Sequence, residues 1–241
     1  MIPSVFRWLR WIGIGGGMAA LLSGETLTIA TCNVENYTLA DRMTPDGFRP
    51  GYPKPEAAKT ALRAVLRAIR ADIVVLQEMG GQAYMEELRR DLSHEGLSYP
   101  HAEILETSDE PRHVAVLSMR PFRDVRRHED LRYRLSGSDQ PVKRGLLEVS
   151  VTAGGGDVTL FLLHLKSRFT DQPDDPMSLE QRSGEAVAIR DRVLARFPDP
   201  DSSRFVIAGD FNDGPTTRPV RAMLARGATP LARLVPAADS R

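Results

Sequence analysis

The sequence has 241 residues, of which 41% are hydrophobic, so it is long enough for one large domain with a buried core. Lys and Arg number 32 and equal Asp and Glu, so no overall positive charge indicates nucleic-acid binding. The single cysteine excludes an internal disulfide, and no Cys/His spacing typical of a zinc site occurs. Any metal is therefore expected to be held by oxygen ligands.

The N-terminus has the pattern of an export signal. Two arginines precede an apolar run, residues 11–22, and small residues follow it. The run is too short to span a bilayer comfortably. We therefore predict a signal peptide over residues 1–24, with an N-terminal membrane anchor or a misplaced start as alternatives. Residues 25–241 would then be secreted or periplasmic, with no stable membrane span after cleavage.

From Thr26 onward, predicted strands alternate with predicted helices, and four of the strands end in polar residues. Because side chains spaced by two share one face of a strand, each of these faces changes from apolar to polar near its carboxyl end. The four are 26–35 with Asn33 and Glu35, 71–78 with Glu78, 157–165 with His164, and 204–215, a strand that runs out into a turn, with Asp210 and Asn212 where the chain leaves the sheet.

Helical spacing and turn residues predict the remaining elements. The helices are 56–69, with Leu62, Val65, Leu66 and Ile69 as its buried stripe; 82–92; a third from Ser178, where Ser178 and Gln181 have capping-box spacing; and about 217–226, capped by Gly227. Two further strands are 113–118 and 145–151, the second antiparallel to 157–165 across a glycine turn. A loop is expected from Pro45 to Pro55.

Taken singly, each polar strand end has an ordinary structural explanation. Asp and Glu cap helices, Asn forms turns, and a core histidine is usually just hydrogen-bonded. Their joint occurrence is more informative, because the carboxyl ends of strands meet at one rim of a sheet, where sites are commonly built.

The residue types together suit attack of water on a phosphate ester. Glu78, with Glu35 as a second candidate, would hold Mg²⁺, or Mn²⁺ or Ca²⁺ in its place. Asp210 could move a proton and His164 could hydrogen-bond a non-bridging phosphate oxygen. Asn33 and Asn212 would orient a phosphate oxygen or a water. Three basic residues are candidate substrate contacts: Arg112, Lys166 and Arg168.

Four segments resemble, in order, the motifs of the endonuclease/exonuclease/phosphatase superfamily, which includes DNase I and exonuclease III-like enzymes. The segments are 31–36, 72–78, 164–167 and 209–213, and the resemblance covers about residues 27–224. It implies a four-layer α/β sandwich of two mixed sheets between helices, with a divalent-metal phosphoesterase site at one edge. The His-Leu-Lys-Ser-Arg form is similar to bacterial secreted members.

By position, the resemblance also assigns the site residues. Asn33 and Glu35 match the first asparagine and the nearby acid, and Glu78 matches the metal ligand. His164 matches the first catalytic histidine, and the Asp-x-Asn pair falls on Asp210 and Asn212.

The sequence departs from the family at its C-terminal end. Members usually end in a Ser-Asp-His motif, whereas no histidine follows His164 here. We therefore expect an incomplete domain, as a fragment or as a truncated homologue. A nuclease or other phosphodiesterase is the first expectation. A phosphatase, a lipid phosphodiesterase and a non-catalytic protein that binds phosphate ligands remain alternatives. The sequence leaves open the substrate, which includes nucleic acid, the number of metal ions and the oligomeric state.

Overall fold

The computed structural model describes residues 4–6, 26–107, 111–170 and 172–234. The predicted signal peptide, residues 1–24, lies outside the described residues except for the backbone of one short strand. Among the residues described, no helix combines the length and apolar character needed to cross a membrane.

The secondary structure alternates along the chain as the sequence pattern predicts, with several added strands. The helices are α1 (Glu56–Ile69), α2 (Gln82–His94), α3 (Leu179–Arg196) and α4 (Arg218–Ala222). The strands are β1 (Ser4–Phe6), β2 (Ile29–Tyr37), β3 (Ala40–Thr44), β4 (Gly47–Tyr52), β5 (Ile73–Met79), β6 (His101–Leu105), β7 (His113–Ser118), β8 (Phe122–His128), β9 (Arg132–Leu135), β10 (Ser138–Pro141), β11 (Leu146–Ala153), β12 (Gly156–His164), β13 (Phe205–Asp210), β14 (Ala225–Arg226) and β15 (Thr229–Pro230).

Two mixed sheets form the centre of the fold. The first has the strand order β1-β2-β5-β7-β6, and the second has the order β13-β12-β11-β8. In the first sheet, α1 connects the parallel strands β2 and β5; in the second, α3 connects the parallel strands β12 and β13. The predicted antiparallel pairing of β11 with β12 is confirmed.

Hydrophobic residues fill three interfaces between four layers of secondary structure: helices, the first sheet, the second sheet, and helices. The molecule is therefore a four-layer α/β sandwich, as predicted. Between the sheets, Val75 of β5 and Leu162 of β12 belong to one buried cluster. On the outer face of the first sheet, Leu76 packs with residues of α1 and α2. On the outer face of the second, Phe161 packs with residues of α3. Adjacent residues of one strand thus serve opposite layers, as the strand period of two requires.

The backbone of β13 approaches β12 very closely at Gly209. Its φ is +145°, and a Cβ placed there would lie 1.9 Å from the carbonyl oxygen of Leu163. Only glycine fits this position without displacing the neighbouring strand. The close approach immediately precedes Asp210, so it fixes how that residue leaves the sheet.

Two predictions for the first half of the chain were wrong. The segment from Pro45 to Pro55, predicted as a loop, contains β4, which pairs antiparallel with β3. Val65 does not belong to the buried stripe of α1, because it is 37% exposed. The side chain of Arg63 is buried there instead, and it donates hydrogen bonds to Glu95 (2.7 Å) and Glu56 (2.9 Å).

Two predicted helix caps were also wrong. Ser178 is left-handed (φ 51°) and its hydroxyl donates to Phe169 O, so it does not cap α3. The carboxylate of Asp175 accepts the free N–H groups of Glu180 (2.8 Å) and Gln181 (3.0 Å) in its place. The predicted fourth helix ends at Ala222, and Gly227 occupies the turn between β14 and β15.

Candidate active site

One amide joins three strands. The Nδ2 of Asn33, on β2, donates to Oε1 of Glu78 (3.1 Å) on β5 and to Oδ2 of Asp210 (3.0 Å) on β13. Asn33 and Glu78 belong to the first sheet and Asp210 to the second, so the contact spans the edge of the sandwich. The structure therefore brings together three residues that the sequence predicted to meet at one rim.

The predicted histidine is next to this cluster. His164, the last residue of β12, is a register partner of Asp210 in the parallel pair with β13. The ring is buried, with 3% of the residue exposed. The N–H of Leu165 donates to Asp210 O (2.9 Å), and Nδ2 of Asn212 donates to Leu165 O (2.8 Å). These bonds tie the His164 and Asp210 segments to each other.

The backbone is strained where these strands end. Four non-glycine residues of the site have left-handed φ values: Glu35 (50°), Asn36 (54°), Glu78 (62°) and Asn212 (51°). The pairing of β2 with β5, and of β5 with β7, also shifts register in these segments. Bulges redirect side chains at strand ends, and such strain is maintained only where surrounding contacts enforce it. The strained residues thus lie where the polar residues of the four strands come together.

Glu78 has the contacts expected of a carboxylate that could hold a cation. Its Oε1 accepts from Asn33, and its Oε2 accepts from the backbone N–H of Asn36 (3.0 Å). Each oxygen therefore keeps a lone-pair site, since a carboxylate offers about four in total. One or two carboxylates with several retained waters are typical of Mg²⁺, so the donor set fits this ion.

Glu35 is placed differently from Glu78. Its side chain is exposed, and its contacts to the site are made by the backbone: its N–H donates to Asn33 Oδ1 (2.9 Å), and its C=O accepts from Lys54 Nζ (3.3 Å). Burial, followed by the nearby charge of Arg42, lowers the pKa of the Lys54 ammonium. Within residues 26–107, 111–170 and 172–234, no three His, Cys, Asp or Glu side chains form a ready metal cluster.

The three basic residues predicted to contact the substrate lie around the site and differ in their hydrogen-bond partners. Arg112 donates from Nε to Asn36 Oδ1 (2.8 Å), beside the first motif. Arg168, whose side chain is 53% exposed, donates to Asn212 O (3.3 Å) and Asp213 Oδ1 (3.2 Å). The ammonium of Lys166 contacts the carbonyl oxygen of Phe169 in its own loop.

Several contributing residues were not predicted from the sequence. Asn36 connects Glu78 to Arg112, and Asp213 accepts from Arg182 Nε of α3 (2.8 Å). Burial raises the pKa of Asp213, but the hydrogen bonds from Arg182 and Gly214 and the charges of Arg182 and Arg168 together outweigh it, so the pKa is lowered. A signal for Arg182 was present, because its position continues the helical spacing of the buried residues of α3.

Comparisons with known proteins agree with this fold. The chain is similar to sphingomyelinase C from Streptomyces griseocarneus (20% identity, TM-score 0.51, 69% of this chain and 60% of that one). It is also similar to the human nocturnin catalytic domain (16%, 0.58, 81% and 67%) and to a Staphylococcus aureus beta toxin structure with bound magnesium ions (16%, 0.57, 81% and 68%). At these identities, the structural similarity establishes the fold.

No curated protein matches the sequence significantly. The chain spans 60% of the length of the sphingomyelinase and 67% of the nocturnin domain. A family model described as "Endonuclease/Exonuclease/phosphatase family" matches residues 30–238, which include all the predicted site residues. The chain therefore belongs to the endonuclease/exonuclease/phosphatase family.

Proposed function

We propose that this protein is a divalent-metal-dependent phosphoesterase that catalyses attack of water on phosphorus, with phosphodiesters, including nucleic acid, as its first candidate substrates. The observation that carries the proposal is the double hydrogen bond of Asn33 to Glu78 and Asp210. It joins carboxylates of two different strands, and one of them, Asp210, is the register partner of His164. Carboxylate and imidazole groups this close together support a proposal of phosphate-ester hydrolysis.

Glu78 would hold Mg²⁺ together with retained waters, and Glu35 stays a second candidate ligand. The beta toxin relative contains magnesium, which supports this choice of ion. When bound, the metal would stabilise negative charge on phosphate oxygens. Asn33 would keep the Glu78 and Asp210 carboxylates apart, because its N–H groups stand between them.

The remaining residues would act on the substrate directly. Asp210 would exchange a proton with the attacking water or the leaving oxygen. His164 would donate a hydrogen bond to a non-bridging phosphate oxygen as its negative charge grows. Asn212 would support the turn and orient a phosphate oxygen or a water. Arg112, Lys166 and Arg168 would contact the substrate phosphate as charge-assisted donors.

We also propose that the domain acts after export. The proposal depends on the basic and apolar pattern of residues 1–24. Mass determination of the mature N-terminus after expression in a bacterial host would test it. Cleavage close to Gly24 is expected, and an intact N-terminus in the exported protein would favour the anchor alternative.

Hydrolysis assays test the proposed chemistry. The protein would be assayed on bis-p-nitrophenyl phosphate, p-nitrophenyl phosphate and plasmid DNA, with Mg²⁺ or Mn²⁺ and with EDTA. We expect metal-dependent turnover that His164→Ala and Asp210→Ala each lower by about 10²–10⁴-fold. His94→Ala, which removes an exposed histidine of α2, is the matched control and should retain the wild-type rate.

The substrate panel also separates the alternatives. Faster turnover of the monoester would indicate a phosphatase. Equal rates for the wild type and both site variants would contradict the proposed site. Folded wild-type protein that binds Mg²⁺ but hydrolyses none of the three substrates would favour the lipid phosphodiesterase or the non-catalytic alternative, and an assay on phospholipid vesicles separates these two.

A further inference from the structure

Helix α3 makes hydrogen bonds to both backbone groups of one residue, Lys166, in the loop that follows His164. Oε2 of Glu185 accepts the N–H of Lys166 (2.7 Å), and Nη1 of Arg182 donates to the C=O of the same residue (3.2 Å). Glu185 and Arg182 lie one helical turn apart, so both face Lys166. They are 2% and 1% exposed, so the contacts are made away from solvent.

Each of these side chains also holds a second segment. Oε1 of Glu185 accepts the N–H of Lys143 (3.2 Å), and Nε of Arg182 donates to Oδ2 of Asp213 (2.8 Å). The side chain of Asp213 is 4% exposed and also accepts the N–H of Gly214 (3.0 Å). The segments that follow His164 and Asp210 are thus fixed to one helix.

A third buried charge completes the arrangement. Arg144, which is 5% exposed, donates from Nη1 to Leu165 O (2.9 Å) and interacts electrostatically with Glu185. The C=O of Leu165 also accepts from Asn212, so this carbonyl group connects the two site segments. The backbone of residues 165 and 166 is therefore hydrogen-bonded to three buried side chains in addition to its strand neighbour.

Packing alone does not account for these charges. Helix α3 already packs on the second sheet through Ala186, Ile189 and Val193. Burying charged groups is costly, and apolar replacements of similar volume are often as stable. A fully hydrogen-bonded buried network does, however, fix one geometry more narrowly than apolar packing. The contacts of these charges include both loops that follow the candidate catalytic residues, and Nη1 of Arg182 also donates to Met177 O (3.0 Å) and Ser178 O (3.3 Å) at the start of α3.

We propose that Arg182 and Glu185 are positioning residues of the active site. They hold the backbone of Lys166 and the side chain of Asp213, and so keep His164 and Asp210 in the relative positions that the reaction requires. The inference rests on the proposed function, because it assigns these residues a role in that same site. Neither residue contacts the substrate; both act through the two loops.

Glu185→Gln is the most direct test. Glutamine keeps the shape of the side chain, but its amide nitrogen cannot accept, so one of the two backbone N–H groups loses its acceptor. Glu148→Gln is the matched control: Glu148 is equally buried at 2% exposure and lies on β11 of the second sheet, on which α3 packs. Its partners are His128 Nε2 (2.8 Å) and Arg196 Nε (3.1 Å), both outside the His164 and Asp210 loops.

Three quantities would be measured for the wild type and both variants: urea stability, kcat and KM on bis-p-nitrophenyl phosphate, and the NMR signals of the His164 imidazole, assigned with His164→Ala. Both variants should lose stability. Glu185→Gln alone should lower kcat about 10–100-fold, the range for residues that orient catalytic groups, with little change in KM. It alone should also shift the His164 signals.

The result that overturns the proposal is a kcat of Glu185→Gln equal to that of Glu148→Gln together with unshifted His164 signals. If Glu185→Gln does not fold, Arg182→Lys replaces it, because one ammonium cannot reproduce the fork that reaches both Asp213 and Lys166. If the wild type hydrolyses nothing, the proposed function fails, and the His164 signals alone decide whether Glu185 positions His164.

Discussion

Among single residues, Asn33 is the one whose side chain connects the two sheets at the candidate site. Its amide supplies N–H donors to Glu78 and Asp210 without adding negative charge. An amide is thus suited to stand between two carboxylates, which would otherwise repel each other. Its carbonyl oxygen accepts the N–H of Glu35, so the same side chain also fixes the strained end of β2.

Asn33→Asp should convert this attraction into repulsion. Without divalent cations, we expect a loss of about 1–3 kcal/mol in the free energy of unfolding, since two partly buried acceptors lose their donor. A carboxylate among like charges has a raised pKa, so the folded state binds a proton more tightly than the unfolded state. The variant should therefore regain stability relative to wild type as the pH falls.

Urea denaturation at neutral and mildly acidic pH, with and without Mg²⁺, checks this prediction. Mg²⁺ should stabilise Asn33→Asp more than wild type, because the cation offsets the added negative charge. Asn33→Ala is the control that removes the donors without adding charge, so its stability should depend less strongly on pH than that of Asn33→Asp. A variant as stable as wild type at neutral pH without Mg²⁺ would argue against the bridging role.

At the scale of the elements, β13 depends on Gly209 for its approach to β12. The distance that a Cβ at this position would have to Leu163 O is far shorter than any contact that side chains tolerate. Gly155 provides a comparison, because it also has a positive φ (+79°), but no atom lies within 4 Å of the place that its Cβ would take. Substitution of each glycine in turn therefore distinguishes the cost of backbone strain from the cost of steric overlap.

Gly209→Ala should destabilise the protein more than Gly155→Ala. The second substitution is expected to cost about 1–2 kcal/mol, the penalty for a side chain at positive φ. The first adds overpacking, worth about 1–3 kcal/mol more, and should displace Asp210. Thermal denaturation of both variants checks the difference, and equal losses would show that β12 yields easily at this point.

Particular elements show what the sequence could predict. The strand period placed Asn33, Glu78, His164 and Asp210 at strand ends, and the structure gathers them. The bridge made by Asn33 could not be predicted, because its partner Asp210 is 177 positions away and the contact depends on how the two sheets pack. Strand β8 was missed because its residues are mostly polar and partly exposed, which hides the alternation.

Predictions from the local sequence were wrong where contacts with residues elsewhere in the chain selected one of two possible local structures. Ser178 and Asp175 are both good N-cap residues, and the hydrogen bond of Ser178 to Phe169 O leaves the cap to Asp175. The segment from Pro45 to Pro55 is rich in turn residues, yet it pairs with β3. The buried pair of Arg182 and Glu185 was missed because charged residues at helical spacing are usually solvated.

At the scale of the whole molecule, the two crossover helices determine where the site lies. Helix α1 makes β2 parallel to β5, and α3 makes β12 parallel to β13, so each sheet has two strands ending at the same edge. Packing of the sheets then brings Asn33 against Asp210. The candidate site is therefore a property of both halves of the sandwich, which predicts that its residues act as a unit.

A double-mutant cycle measures whether Glu78 and Asp210 act as a unit. Turnover of bis-p-nitrophenyl phosphate with Mn²⁺ would be measured for wild type, Glu78→Gln, Asp210→Asn and the double variant. If the two carboxylates serve one reaction, each single substitution should lower kcat by at least about 10²-fold, and the double variant should be no slower than the slower single one. Losses that multiply in the double variant would contradict a single cooperative site.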